Sequence, residues 1–489
     1  MFKNPFATLI SLSALLLPLA FPGQAMAQRR MPGEPVRRNL PPDMYVVDFV
    51  DASSFGVSMN DMGDVIGTSY EDNGCGPFCM PPLDTVVWRG DQRIILPKLP
   101  TWGEIWVKAI NNAGWIVGFA GDSFWTAHRA VVWKPAGASY QVIDLGVLPG
   151  TTSSEATGID DQGRVVGWST TTDFPPAGSP FAWTEAGGML DLSAQGYPDD
   201  MPFAISPGGT VATVDRWYHL GDPTSVTSMA PPPPGFRLEA GSIAINDAGD
   251  QGRFLVTASG QPLDYLYRYD HAGIWNLLST TGTGHSSSYS MGSINTMRDV
   301  TGTILGGGIV AYGRDGLAEW LAATLSPAYP GCSVSGAGRM DARGRILTHA
   351  LIGLEARLVR LTPAWHCTGN CMRVANVALT ADFIPDPSDP TQDHCAPDLS
   401  AHDEATATIT VTDALGIPMA NAKVFGRFMD EYWTNELAVG TTDGAGVVSF
   451  FHSGPCGVGA ISFLVDDVIK PGFVLDKTTG ILTTWAVPQ

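Results

Sequence analysis

Positive charge is scarce in this chain: 28 Lys and Arg stand against 48 Asp and Glu in 489 residues, for a formal charge of −20. Nucleic acid is excluded as a partner on that ground, because binding it requires a basic surface that displaces counterions from phosphates. Charge of either sign is sparse, at 16% of residues against 44% apolar, which excludes a disordered acidic chain. After the first 27 residues there is no apolar run long enough to span a bilayer, so no integral membrane segment is expected in the mature protein. Apolar residues at helical spacing of three and four are missing too, which excludes a helical solenoid. There is no Gly-x-Ser-x-Gly elbow, phosphate loop, dinucleotide fingerprint or haem-attachment Cys-x-x-Cys-His. The nine histidines are dispersed and lack the paired spacing of a metalloprotease helix. No cofactor or metal is implied, and no serine, cysteine or histidine is singled out as catalytic.

What the chain has in abundance is glycine (56) and proline (37), spread along its length as expected of many short strands joined by turns. Residues 1–27 carry Lys3, an apolar stretch from Ala7 to Phe21 and the small-residue site Ala25-Met26-Ala27, so they read as a secretory signal peptide. Residues 28–43, with Arg29, Arg30, Arg37, Arg38 and four prolines, read as a flexible leader. The protein is therefore expected to be secreted or periplasmic.

Self-similarity organises the region 44–365. Asn60-Asp61-Met62-Gly63 returns as Asn111-Asn112-Ala113-Gly114 and as Asp160-Asp161-Gln162-Gly163, each preceded by an apolar residue and followed by a Val/Ile-rich segment. Weaker copies follow at Ser206, Asn246, Asn295 and Asp341, making seven at intervals of 51, 49, 46, 40, 49 and 46 residues. Each copy reads as a hairpin: the Asn/Asp side chain closes a turn, Gly takes a positive φ, and strands flank both. Two further strands per copy give four strands in 40 to 50 residues, the signature of a seven-bladed β-propeller blade. The last copy lacks a fourth strand, and Met44 to Phe49 matches the fourth-strand segment Tyr140 to Leu145, so the N-terminal strand is expected to complete the seventh blade.

The run from Ala109 through His128-Arg129-Ala130-Val131-Val132-Trp133 and Asp144-Leu145-Gly146-Val147-Leu148-Pro149-Gly150 to Gly167 resembles the bacterial extracellular HAF repeat, over roughly residues 44 to 363. The His-Ala-Phe signature itself is reduced to a single His-Arg-Ala. The resemblance implies an extracellular location and a propeller-like fold, and no particular activity.

Residues 366–489 change register. Segments such as 372–379, 405–412 and 446–451 alternate or are β-branched, which predicts an antiparallel sandwich. The run from Val411 to Val424 with Thr442-Asp443-Gly444 resembles bacterial Ig-like modules. From residue 372 onward there are 15 acidic and 5 basic residues.

Seven cysteines in an exported chain read first as disulfides. The expected pairs are Cys75 with Cys79 and Cys395 with Cys456, then one pair among Cys332, Cys367 and Cys371, leaving one thiol over. Among carboxylates, Asp61, Asp161 and Asp247 recur at one turn position, where propeller glycosidases would place an acid and a base, although an Asp in a hairpin turn mainly satisfies its own backbone. Asp386, Asp389 and Asp393 offer a weak calcium reading. Trp88, Trp133 and Trp183 occupy equivalent strand positions and read as packing, whereas Trp102, Trp106, Trp115, Trp125 and Trp168 cluster irregularly around the second and third blades and are the candidate ligand-binding residues. The expected function is a non-catalytic binding or adhesion module presenting a surface to extracellular carbohydrate or protein. The alternative is a carbohydrate-active hydrolase or lyase using funnel carboxylates, and a third reading is a structural matrix component.

Overall fold

The computed structural model describes residues 44–51, 54–70, 83–90, 92–100, 102–121, 127–171, 178–257, 264–280, 290–304, 307–312, 318–336, 338–352, 355–364, 366–386, 401–430 and 435–489. It is an all-β molecule with seven small four-stranded antiparallel sheets, followed by two larger ones. In the first six, four consecutive strands meander in order, as in Ser54–Met59, Val65–Tyr70, Leu83–Arg89 and Gln92–Ile95 of the first sheet. The seventh breaks that order. Its fourth strand is Met44–Asp51, which pairs antiparallel with Glu355–Ala364.

Through the first six sheets the first strand of each touches the first strand of the next; Gly307–Ala311 of the sixth touches Ser333–Ser335 of the seventh, and Ser54–Met59 of the first touches Ile346–Ile352 and Glu355–Ala364 of the seventh. The row of sheets thus closes on itself with the first strands innermost. Apolar side chains fill each junction. Ile66 and Val87 meet Ile105, Ile116 and Trp133 between the first two sheets, and Met59, Val65 and Trp88 meet Leu347 and Leu358 where the seventh sheet returns to the first. Trp88, Trp133 and Trp183 are all buried in these junctions.

The repeated turn explains why the sheets hold their spacing. At its first position stand Asn60, Asn111, Asp160, Ser206, Asn246, Asn295 and Asp341, all buried. In all seven, the side-chain oxygen accepts the backbone N–H four residues later, from Asp64, Trp115, Arg164, Thr210, Asp250, Asp299 and Arg345. Six turns place Gly fourth at positive φ; the sixth uses Arg298 at φ 70°, whose side chain forms ion pairs with Asp250 and Asp270.

The same buried position reaches sideways. Asn60 donates to the carbonyl of Asn111 at 3.0 Å, Asn111 to that of Asp160 at 2.8 Å, and Asn246 to that of Asn295 at 3.1 Å. Where the residue is Asp it has no proton to donate, and an Arg four residues on takes over. Arg164 pairs with Asp160 and donates to Leu220 and Gly208 of the fourth repeat; Arg345 pairs with Asp341 and donates to the carbonyl of Asp61. Thr210 to Asp247 and Ser293 to Met340 complete the remaining junctions. Every junction of the ring therefore carries a hydrogen bond at its turn end.

The two C-terminal sheets are built around the long strands Cys371–Ile384 and His402–Asp413 in one, and Lys423–Asp430 and Ile461–Ile469 in the other. Their facing side chains, such as Val374, Ile409, Val424, Phe428 and Phe463, belong to the same apolar core as Tyr45, Val47, Tyr329 and Val359 of the seventh sheet. Polar groups fix the contact. Arg357 donates to the carbonyl of Asp430, Leu482 N–H to that of Ala328 at 2.6 Å, and Ser326 to that of Lys477 at 2.9 Å. Arg427 lies 4.3 Å over the Phe49 ring and pairs with Asp466 at 2.9 Å.

Asp48 sits among these groups. Burial alone would raise its pKa, but Lys477, Arg360 and a hydrogen bond from Thr362 outweigh burial and hold it below the usual carboxylate range. A depressed folded-state value means its stabilising contribution is present above the unfolded value and lost as pH falls through the folded one.

Three outcomes follow. Calorimetry of residues 44–489 should show the seventh sheet and the C-terminal sheets melting in one transition, because they share a core. The stability difference between wild type and Asp48→Asn should shrink on acidification. Arg345→Ala should cost about 3–5 kcal/mol by stranding the buried Asp341 charge, and adding Asp341→Asn, the residue used in most other turns, should recover part of that loss in denaturant titrations.

Candidate functional site

Because each of the seven small sheets is an up-and-down meander, the Asn/Asp turns lie at one end of the ring. The connections leading into the first strands lie at the other. This divides the five candidate tryptophans. Trp115 follows the turn glycine of the second repeat, packs against Gly163, and has Lys134 Nζ 4.1 Å over its ring. Trp102 precedes the first strand of the second sheet and packs on the apolar junction between the first and second sheets. Trp106 and Trp168 lie on strands toward Trp102's end of the ring, and Trp125 lies outside the described residues.

Trp106 and Trp168, both half-buried, are linked through the buried Phe119 and the Lys108–Glu155 pair where the second sheet meets the third. Trp106 stacks on Phe119 with centroids 4.8 Å apart and an interplanar angle of 21°, and Phe119 meets the His128 ring at 4.9 Å. Lys108 lies 5.4 Å over the Phe119 ring and pairs with Glu155 of the third sheet at 2.8 Å. Glu155 is the cross-strand partner of Trp168. The Trp168 indole N–H is buried without a hydrogen-bond partner among the described residues, and a Cβ on Gly178 would come within 2.9 Å of it. Aromatic faces flanked by one cation and one carboxylate can stack on a flat apolar surface while hydrogen-bonding its polar edge. Lys108, Phe119, His128 and Glu155 were not singled out from sequence. Their only signal was that Lys108 and Glu155 interrupt first strands that otherwise carry few charges.

The carboxylates at the second turn position have another role. Asp61 accepts the Ala342 N–H at 2.7 Å and the Asn112 amide at 2.9 Å; Asp161 accepts both donors of Asn112, its backbone N–H at 2.9 Å and its side-chain amide at 2.8 Å; Asp247 accepts the Gly208 N–H at 2.6 Å. The expectation that such an Asp satisfies its own backbone is corrected: the first position does that, and the second ties its turn to a neighbour. The geometry gives these three residues a structural task as acceptors.

Among the described cysteines, Cys367 and Cys371 form a disulfide and Cys332 is free. Cys456 is disulfide-bonded, while Cys75, Cys79 and Cys395 lie outside the described residues. Burial pushes the Cys332 thiol up to about 12. Of the calcium candidates, Asp386 is described and buried, whereas Asp389 and Asp393 lie outside the described residues.

A second concave feature, a cavity of about 180 Å³, opens at the inner edge of the seventh sheet. It is lined by Gly56 of the first sheet, Thr303 of the sixth, and Gly336, Gly338, Thr348 and His349 of the seventh.

No protein-family profile and no curated protein sequence matches this chain. Solved structures with a similar fold include a prolyl endopeptidase (14% identity, 76% of this chain and 54% of that one, TM-score 0.39). Others are prolyl oligopeptidase B from Galerina marginata (8%, 71% and 37%, TM-score 0.28) and the extracellular domain of a one-component system from B. thetaiotaomicron (9%, 84% and 65%, TM-score 0.24). This chain spans less than two thirds of each of those proteins, and none of these likenesses reaches an identity at which an activity transfers.

Two measurements bear on these assignments. Cys332 should stay unmodified by a thiol reagent at pH 8 in the folded protein and react on unfolding, because the thiolate is the reactive form. Asn112→Ala should cost about 1–3 kcal/mol by removing donors to Asp61 and Asp161, read from denaturant midpoints.

Proposed function

We propose that this protein is a secreted or periplasmic binding module: a seven-bladed β-propeller carrying an Ig-like sandwich, with a carbohydrate-binding surface where the second and third blades meet. Residues 1–27 act as the export signal in this reading. The closed row of seven four-stranded sheets supports the propeller assignment, and the two packed C-terminal sheets support the sandwich. The observation that carries the binding reading is the pair of half-buried rings Trp106 and His128 held on the buried Phe119, beside the Lys108–Glu155 pair. Sugars present apolar ring faces that stack on aromatics and hydroxyl edges that hydrogen-bond to charged groups, which is what such a patch offers.

The hydrolase alternative is weakened because Asp61, Asp161 and Asp247, its nominated carboxylates, accept hydrogen bonds between turns. A general acid must instead be free to present a proton to a leaving group.

The test incubates purified residues 28–489 with insoluble and soluble polysaccharides, recording bound protein and released sugar in the same tubes. Retention without product is expected. Trp106→Ala should lower retention at least tenfold with an unchanged melting temperature, and Trp115→Ala, at the opposite end of the ring, should leave retention intact. Sugar release would overturn the reading.

A further inference from the structure

Two exposed apolar side chains stand on the innermost strand of the first sheet: Phe55 and Val57, two positions apart on Ser54–Met59, are 57% and 42% exposed. Register shows what Phe55 is equivalent to. In the first sheet Met59 stands opposite Val65 and Phe55 opposite Thr68; in the second, Ile110 stands opposite Ile116 and Trp106 opposite Phe119. Counted from the turn, Phe55 and Trp106 therefore hold the same position on neighbouring innermost strands, and those strands touch. Trp106 has an aromatic cross-strand partner to stack on, whereas Thr68 offers Phe55 none. The Phe55 ring meets the closing junction instead, 5.8 Å from the His349 ring of the seventh sheet at an interplanar angle of 55°.

At that level the seventh sheet has a different inner strand, and the difference makes room. Its Met340 stands opposite Ile346 and its Ser335 opposite His349, so one more residue lies between those two pairings than between Ile110 and Trp106. Where the second sheet has Trp106-Val107-Lys108, the seventh has Ser335-Gly336-Ala337-Gly338 in sequence. Large side chains give way to almost none, and Gly336, at φ 77°, takes a left-handed backbone that any side chain would strain. The cavity of about 180 Å³ lies there. Thr303, Ser335, Thr348 and His349 give its lining polar atoms, Leu347 and Leu358 give it apolar ones, and no described residue of the lining is charged.

His349 belongs to both features, as part of the cavity lining and as the ring neighbour of Phe55. Its Nε2–H donates to the Ser54 carbonyl at 2.9 Å, since a carbonyl only accepts. Nδ1 is left without a partner among the described residues. The Thr348 hydroxyl is already given to the Gly336 carbonyl at 2.8 Å and props the wall, whereas Ser335 is exposed. An exposed phenyl ring beside a small, uncharged cavity with polar atoms is amphipathic in the way a neutral sugar is, apolar on its ring faces and polar at its edge.

We propose that Phe55, His349 and this cavity form a second sugar subsite, and that the ligand is a neutral, linear polysaccharide chain running across neighbouring innermost strands from Phe55 to Trp106. This rests on the carbohydrate-binding reading and names the ligand class. Two rings at the same position on strands that touch make a row, which a chain of sugar units can follow and a monosaccharide cannot. Charge selects against polyanions: the described lining carries no cation, Lys108 is paired with Glu155, and the formal charge of the protein is −20. One ligand that engages both rings binds more tightly than either contact alone allows, because the second contact is made within a complex already formed.

The test titrates residues 28–489 by calorimetry with cello-, xylo- and N-acetylglucosamine oligosaccharides of two and six units, and with a galacturonate hexamer. In at least one neutral series the hexamer should bind at least tenfold more tightly than the dimer. Phe55→Ala should remove most of that gain without lowering the melting temperature, because the ring is exposed. Ser335→Leu, which sets an apolar side chain at the cavity, should weaken the hexamer in the same way. Equal affinity of dimer and hexamer in every neutral series, or unchanged hexamer binding in Phe55→Ala, would overturn the proposal. Tighter binding of the galacturonate hexamer than of any neutral one would overturn the ligand class. Polysaccharide retention that needs Trp106 but not Phe55 would sink this inference and leave the binding module standing. Dependence on Phe55 with indifference to Trp106 would overturn both the row and the patch between the second and third sheets, and binding of no saccharide at all would remove the reading and the inference together.

Discussion

One buried side-chain oxygen per repeat carries the architecture. At Asn60, Asn111, Asp160, Ser206, Asn246, Asn295 and Asp341 it accepts the N–H four residues on, which fixes the turn and so the register of the first two strands of every sheet. In five repeats the rest of the same side chain, or an Arg paired with it, supplies the donor that reaches the next turn, and in the other two Thr210 and Ser293 do so. Local folding and the spacing between sheets are thereby set at or beside the same turn. The variation between copies also becomes intelligible: Asn is self-sufficient because it has both an acceptor and a donor, whereas Asp requires an Arg to supply the missing donor and balance the buried charge.

Rigidity of this kind has a bearing on where ligands are held. The turn end of the ring is consumed by its own hydrogen bonds, including those of Asp61, Asp161 and Asp247. Away from it, at the junction of the second and third sheets, lies the Lys108–Glu155 pair beside Trp106. Lys108 sits where a first strand bulges, and a bulge is the local device that re-aims a side chain without disturbing the ladder on either side.

The repeat was legible because a turn requiring Asn or Asp, then Gly at positive φ, leaves a fixed mark in sequence. The absent fourth strand of the last copy could be read from the same periodicity, and Met44–Asp51 fills it. The roles inside the turn were not legible. Asp61 and Asp161 were expected to bond their own backbone or serve as acid and base, since a sequence does not show that the neighbouring turn lies within 3 Å. The five tryptophans were grouped by nearness in the chain, yet a meander sends neighbouring residues to opposite ends of a sheet, and Trp115 is parted from Trp106 in that way. The docking of the C-terminal sheets through Asp48, Arg357, Arg427 and Lys477 joins residues from 73 to more than 400 positions apart, beyond the reach of any local pattern.

The pairing of Met44–Asp51 with Glu355–Ala364 also orders events in time. Asp48 and Thr362, hydrogen-bonded across that pair, are 314 residues apart in the chain. Within the ring, the strand made first is held by the strand made last, so the ring has no closed form until all seven sheets have been made. A growing chain can build its sheets one by one from local hairpins, but its first strand must wait, unpaired, through the synthesis of the other six sheets. Until that moment two raw edges face outward, and the interval before closure is when the chain is most exposed to pairing with another copy of itself.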